Sequence, residues 1–450
     1  MQTTSVDPLP HGGVTREEIA KREIGVTDIT PALARGLMIA FLIAIAVVPM
    51  LEWRATLAQG QEGATSAWSQ LTGLVDRIPA TFALTTDSNG PIGLWRRAVA
   101  VNRELLSALV AFERGLEDES YVGKTLRPPF QWILSGWLGA GNERAYVGRD
   151  GWLFYRPDVE YVTGPGFLSA THLKRRAAAA SEWEQPPQAD PRTAIVHFKR
   201  QLEARGILLI VVPTPTKPMI HPSQLAAGYG PDDAPLDNAS FPLFIDDLRR
   251  EGVLVFEPSH AIVAASRELG QPQYLLTDTH WRPEAMELTA RGLLDLLNEH
   301  ASLPPVPEPG YRAERGEVRA MGDISLMLDL PPWQTLYPPE LVLARRVTNL
   351  DGAAWRPSRD ADVLVLGDSF ANIYSLASMG WGDSAGLVEQ LAYLLRRPVD
   401  RIVQNDQGSF ATRALLNRSP GRLEGKRVVI YQFAARELAF GDWQLLDLPQ

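Results

Sequence analysis

The chain has 450 residues, 45% hydrophobic and 22% charged, with a formal net charge of −9 and no cysteine. That balance excludes wholesale disorder, a disulfide framework, a thiolate nucleophile and any cysteine-based metal site. Without a long basic run, a net negative chain offers nucleic acid no general attraction, and its length calls for one large core with smaller appendages.

The first element in chain order is GLMIAFLIAIAVVPML, residues 36–51, which holds no charge and no strongly polar side chain. Neighbouring Ala32, Leu33 and Ala34 lengthen it toward the roughly 20 residues that span a bilayer. Arg35 can snorkel to headgroups at one end and Trp53 can sit at the other interface. A buried core helix is the alternative, but the run has no polar face to turn outward. Its long leader and the lack of a small-x-small site argue against a cleaved signal peptide. Arg16, Lys21, Arg22 and Arg35 precede it while only Arg54 follows closely, so positive charge keeps the N-terminus in the cytoplasm. The expected organisation is a cytoplasmic tail at 1–31, a transmembrane signal-anchor helix at 32–53, and everything beyond exported.

Residues 54–140 read as a helical membrane-proximal segment. Val99, Leu106, Leu109 and Phe112 fall at helical spacing within residues 94–116, and prolines at 128 and 129 read as an interruption. From about Tyr146 the texture becomes alternating helix and strand. A helix over 195–204 closes at Gly206 and leads to the β-branched run ILLIVV at 207–212; residues 244–250 lead through Gly252 to VLVF at 253–256. A helix starts at Pro283, with Met286, Ala290, Leu293 and Leu297 on one stripe. The strand VLVL, 363–366, runs into Gly367, Asp368 and Ser369. Asp383 or Ser384 is expected to cap a helix reaching Arg396, and short strands follow at 401–404 and 428–433. This βα alternation predicts a three-layer α/β domain with a mostly parallel sheet over 141–450.

Two motifs carry the chemistry. In LVLGDSFAN, Ser369 follows a buried strand immediately, which presents it at the carboxyl end of the sheet where α/β ligands bind. Its backbone N–H can point at a developing oxyanion, although Asp368 and Ser369 can equally cap the next helix. In LLTDTHWRP, His280 is a candidate base and Asp278, two residues earlier, a candidate orienter of its imidazole. His221 or His260 joining Asp278 and His280 around a metal lacks any recognisable ligand spacing, so neither a metal nor a cofactor is called for. Trp281 and Trp381 flank these motifs and are candidate platforms for sugar rings, with core packing as the alternative.

The ordered pair DTHW and GDSF resembles the SGNH-hydrolase-like domain of the alginate O-acetyltransferase family. YVGRDGWLFY (146–155), VVPTPTKPMIHP (211–222) and RVVIYQFAARELAF (427–440) also resemble stretches of that family in the same relative places. The resemblance implies an SGNH-like α/β fold in the periplasm of a bacterial inner membrane and O-acetylation of an exported polysaccharide. It implies a triad of Ser369, His280 and Asp278, and a membrane-bound O-acyltransferase partner that supplies acetyl groups. Two further readings share these motifs: a polysaccharide acetyl-esterase, and a non-catalytic polysaccharide-binding subunit. The oxyanion Gly of ordinary SGNH enzymes would fall on Gly408. Their oxyanion Asn has no secure equivalent; Gln432 and Arg436 stand there instead.

Overall fold

The computed structural model describes residues 30–59, 78, 91–180, 187–230, 233–405 and 410–448. The chain divides into two compact units, Met1–Leu126 and Arg127–Gln450. The division falls inside the stretch expected to be membrane-proximal.

In the first unit, helix α1 (Pro31–Gln59) begins where the Thr30 hydroxyl accepts the Leu33 N–H at 3.3 Å. Its window Pro31–Val48 has a mean hydropathy of 2.2 and none of it is buried, so it is long and apolar enough to cross a membrane. Helix α2 (Pro91–Glu119) opens on a proline, whose missing N–H costs nothing in a first turn. Helix α3 (Tyr121–Leu138) crosses the division, and its part in the second unit runs straight through Pro128 and Pro129, against the expected interruption. Those prolines remove two backbone donors, but the turn after them is anchored from inside. Gln131 Nε2 donates to Ser135 Oγ at 2.9 Å and to the Ala140 and Gly141 carbonyls at 3.2 Å.

After α3 the second unit continues with a small antiparallel pair, β1 (Ala145–Val147) and β2 (Leu153–Tyr155). Asp150 and Gly151 adopt positive φ at its turn, the conformation Asp-Gly favours. Next come α4 (Arg156–Thr163), α5 (Ala170–Ala180), α6 (Pro191–Glu203), β3 (Leu208–Thr214), α7 (Phe241–Arg250), β4 (Leu254–Val255), α8 (Ser259–Leu269) and α9 (Pro283–His300). They are followed by β5 (Arg312–Ala320), β6 (Glu340–Thr348), β7 (Val363–Gly367), α10 (Leu387–Leu395), β8 (Asp400–Val403), α11 (Phe410–Asn417) and β9 (Val428–Ala434).

Five strands form one parallel sheet in the order β4-β3-β9-β7-β8. Alternate strand residues feed two separate cores, as the pleat requires. Ile210, Val212, Val363, Val365 and Ile430 face α8, α9 and α10. Leu209, Val211, Leu364, Leu366, Val429 and Tyr431 face α6 and α7. The result is the expected three-layer arrangement. The chain goes outward from β3 to β4, crosses to β7, goes outward to β8, and returns to fill the centre with β9. That reversal places a crevice at the carboxyl ends of β3, β9 and β7.

Two details depart from the sequence reading. Helix α10 starts at Leu387, not at Asp383 or Ser384. Ser384 holds φ at 55° and spends its hydroxyl on the Val347 carbonyl at 2.7 Å, so it cannot cap. The long ribbon β5–β6 was also not anticipated.

Candidate active site

Strand β7 is buried throughout and ends at Gly367. A Cβ there would press on Ala371 Cβ, so glycine lets the turn fold back tightly onto the helical turn Ser369–Asn372. Asp368 caps that turn by accepting the Phe370 N–H at 2.9 Å. It also ties the sheet ends together: its Oδ1 accepts from Gln432 Nε2 at 2.8 Å and its Oδ2 from the Ala434 N–H at 2.6 Å. Gln432 continues the latch to Thr214 Oγ1 at 2.9 Å. Ser369 is thus set rigidly above β7 while Asp368 and Gln432 are consumed in holding it.

The loop before α9 supplies the other groups. Tyr274 pairs with Trp281 across its neck, and the Leu275 N–H donates to the His280 carbonyl at 3.1 Å. Glu340, the first residue of β6, receives the Leu276 and Thr277 N–H groups, each at 2.8 Å, and the Thr277 hydroxyl at 2.7 Å. Asp323 Oδ1 receives the Thr279 N–H at 2.7 Å. From below, the fully buried Lys217 donates its Nζ to the carbonyls of Leu153 at 2.6 Å and Leu276 at 3.1 Å. Burial, against the pull of Asp278 and other acids, lowers its pKa to about 8.

These supports bring the sequence-predicted groups together. His280 Nε2 lies 2.8 Å from Ser369 Oγ, and His280 Nδ1 lies 2.6 Å from Asp278 Oδ1. The other Asp278 oxygen accepts from Trp381 Nε1 at 2.9 Å and from the Asp323 N–H at 3.0 Å. Burial alone would raise the Asp278 pKa. The His280 hydrogen bond and charge, with the Asp323 and Trp381 donors, outweigh it and hold Asp278 at about 2. For His280 burial works downward, but the Asp278 bond and charge prevail and lift it above the ordinary imidazole value. The three side chains are nearly solvent-free, so water does little to screen them.

Trp281 and Trp381 are corrections. Both indoles are fully buried. Trp281 Nε1 donates to the Phe370 carbonyl at 3.1 Å and Trp381 Nε1 to Asp278. A ring closed in on both faces has none to offer a sugar. Gly408 lies outside the described residues. Arg436 does not replace the missing Asn as a free donor. Its Nη1 pairs with the buried Asp158 at 2.9 Å, and its guanidinium lies over the Tyr155 and Phe370 rings.

Asp323 is the site residue that the motif reading missed. Its Oδ2 is 3.9 Å from His280 Nδ1, and burial together with the Asp278 charge raises its pKa to about 6. A third of its side chain remains exposed, so solvent moderates that rise. Asn372 Nδ2, three residues past Ser369, donates to Asn405 Oδ1 at 3.0 Å, another pair not read from sequence. Among the described residues, Asp278, His280 and Asp323 form the one group with ligand atoms close enough for a metal, within 4.8 Å of one another. Most of those atoms already make the hydrogen bonds given above, so a cation would have to displace them. His221 and His260 are not part of it; His221 Nε2 accepts the Gln273 N–H at 3.1 Å.

With this geometry in hand, comparisons with known proteins converge. A family model described as the SGNH hydrolase-like domain of the acetyltransferase AlgX matches residues 145–435. A protein of Pseudomonas fluorescens named probable alginate O-acetylase AlgJ is 27% identical over 252 residues, which cover 51% of this chain and 54% of that one. Its namesake in Pseudomonas syringae pv. tomato is 25% identical over 313 residues, covering 66% and 70%. The chain spans about half the length of the Pseudomonas fluorescens and Pseudomonas aeruginosa relatives. The solved O-acetyltransferase domain of Pseudomonas putida AlgJ superposes with a TM-score of 0.50 at 18% identity, over 66% of this chain and 93% of that one, which speaks for a common fold.

Proposed function

Because the chain belongs to the SGNH hydrolase-like acetyltransferase family over residues 145–435, we propose that it transfers acetyl groups through Ser369 to hydroxyls of an exported polysaccharide. The observation that carries this reading is the continuous relay from Ser369 Oγ through His280 to Asp278, at 2.8 and 2.6 Å. The proposed donor is an acetylated membrane-bound O-acyltransferase.

In the first half-reaction His280 Nε2 takes the Ser369 proton as Oγ attacks the acetyl carbonyl. Asp278 holds Nδ1–H in place and balances the imidazolium. The Ser369 N–H, the first of its helical turn, has no intrahelical acceptor and serves as an oxyanion donor. The imidazolium then protonates the departing oxygen, leaving acetyl-Ser369. In the second half a sugar hydroxyl gives its proton to His280 and attacks that ester, and Ser369 leaves with a proton returned from His280. Net, one ester bond breaks and one forms. Transfer exceeds hydrolysis only where the site positions sugar better than water.

The proposal is tested with the purified chain, an activated acetyl ester and an oligosaccharide acceptor. Mass spectrometry should find acetyl on Ser369, then on the sugar. Acetate alone, with no acetylated sugar from any acceptor, would replace transfer with esterase activity. Failure of Ser369 to acetylate at all would favour a binding subunit.

A further inference from the structure

Residues 128–142 form a 15-residue stretch without one charged side chain, in a chain where 22% of residues are charged. Its helical part, the second half of α3, is docked on one side. Trp132 packs edge-on against Trp333 with centroids 5.3 Å apart, and Gln131 and Ser135 are buried. Nearby, Asn142 Nδ2 reaches the Met327 carbonyl at 2.8 Å. The helix is therefore fixed in its rotation.

At about 100° per residue, Phe130, Ile133, Leu134 and Trp137 lie on the opposite side, with Leu138 at its edge. All are exposed, Trp137 to 78% and Phe130 to 60%. A water-facing helix side ordinarily carries charge. Here the rule is inverted: the polar Gln131 and Ser135 lie on the docked side and the exposed stripe is apolar, with Arg127 at its start. Trp, Phe and Leu on one face of a fixed helix suit the boundary between headgroups and acyl chains.

We propose that this face of α3 rests in the lipid–water interface of the membrane that holds α1, so that the catalytic unit sits on the bilayer and does not float on its tether. The inference rests on the reading of α1 as a membrane anchor, the observation that selects lipid as the occupant: the same chain carries the apolar window Pro31–Val48. A tether keeps the surface at high effective concentration, so a modest apolar face is enough to bind it.

The absence of native cysteine makes the test direct. The full chain would carry a single nitroxide at Phe130→Cys, Trp137→Cys, Lys174→Cys or Leu42→Cys, in vesicles of phosphatidylethanolamine and phosphatidylglycerol. Collision with oxygen, which concentrates in lipid, is compared with collision with a polar nickel chelate. Labels at 130 and 137 should give oxygen-to-nickel ratios several-fold above that at 174, a position on the exposed side of α5. Water-like ratios at 130 and 137 would overturn the proposal. So would shelter from both agents, which would mean α2 or a second copy covers the face. The label at 42 reports separately on α1. A lipid signal there beside water-like 130 and 137 sinks the interfacial helix alone, whereas a water-like signal at 42 sinks the anchor reading.

Discussion

At the scale of single residues, the proposed mechanism has Ser369, His280 and Asp278 act through one shared proton path. Removing any one of them should therefore remove most of what the set provides. Ser369→Ala and His280→Ala should each lower kcat by about 10⁴–10⁶, with the double variant little worse. Steady-state rates on a small acetyl ester, with circular dichroism to verify folding, check this; multiplicative losses would mean separate steps. Trp381 is assigned a positioning role within that proposal because its indole N–H donates to Asp278 Oδ2. Trp381→Phe keeps the packing and deletes a hydrogen bond to a charge, worth about 1.5–3 kcal/mol. It should lower kcat about tenfold or more and leave KM for a small ester nearly unchanged; a rise in KM for sugar alone would restore the stacking role. On the same proposal Asp323 contributes to the pH response. His280 must be neutral to act as base, and its pKa lies above the ordinary value, so kcat/KM should rise with pH through that raised pKa. Asp323→Asn removes an anion 3.9 Å from Nδ1, which makes the imidazolium less favourable and moves the acidic limb to lower pH. A limb that stayed in place would remove Asp323 from the relay. The spacing of Asp278 and His280 was legible because both lie in one short loop. The Trp381 contact spans 103 positions in sequence, and no local pattern reveals it.

At the scale of elements, the strands were legible wherever both faces are buried. ILLIVV and VLVL are unbroken apolar runs and VVIYQF is interrupted by Gln432 alone, and they correspond to β3, β7 and β9. The ribbon β5–β6 was hidden because RAERGEVRA is mostly polar and its exposure follows no clean alternation. Yet that ribbon carries the parts that clamp the loop of Asp278 and His280: Glu340 opens β6, and Gly322 and Asp323 follow β5 after Met321. Gly322 packs so closely on the Thr277 carbonyl that a Cβ would overlap backbone atoms. Gly322→Ala must therefore push the loop and Asp323 apart. The expected outcome is a lowered kcat for a small acetyl ester, with a Tm lowered by a few degrees, since overpacking costs about 1–3 kcal/mol. Wild-type kinetics would show that the loop yields freely, and that the clamp is Glu340 alone.

At the scale of the whole molecule, the acceptor reading depends on which side of the membrane the catalytic unit occupies. Helix α1 supplies the length and apolarity to cross, with Pro31–Val48 unburied at a mean hydropathy of 2.2, but hydropathy has no direction. Direction comes from the flanks: Arg16, Lys21, Arg22 and Arg35 stand before the uncharged run 36–51 of that helix and Arg54 after it. Positive side chains resist translocation while acidic neighbours such as Glu17, Glu18 and Glu23 count for little. The physical expectation is that residues beyond α1 are exported and meet a polymer outside the cytoplasm. A reporter active only outside the cytoplasm, fused after residue 450, should therefore be active. Its cytoplasmic counterpart, fused at the same place, should be silent. Moving the charge bias should move the protein: replacing the basic residues at 16, 21, 22 and 35 by Gln while adding Lys beyond Arg54 should reduce the exported fraction and raise the cytoplasmic signal. Activity of the cytoplasmic reporter in the unaltered chain would place Ser369 on the wrong side for an exported polysaccharide. The relay of Ser369, His280 and Asp278 would then have to serve an intracellular ester, and the acceptor would have to be sought among soluble hydroxyl compounds.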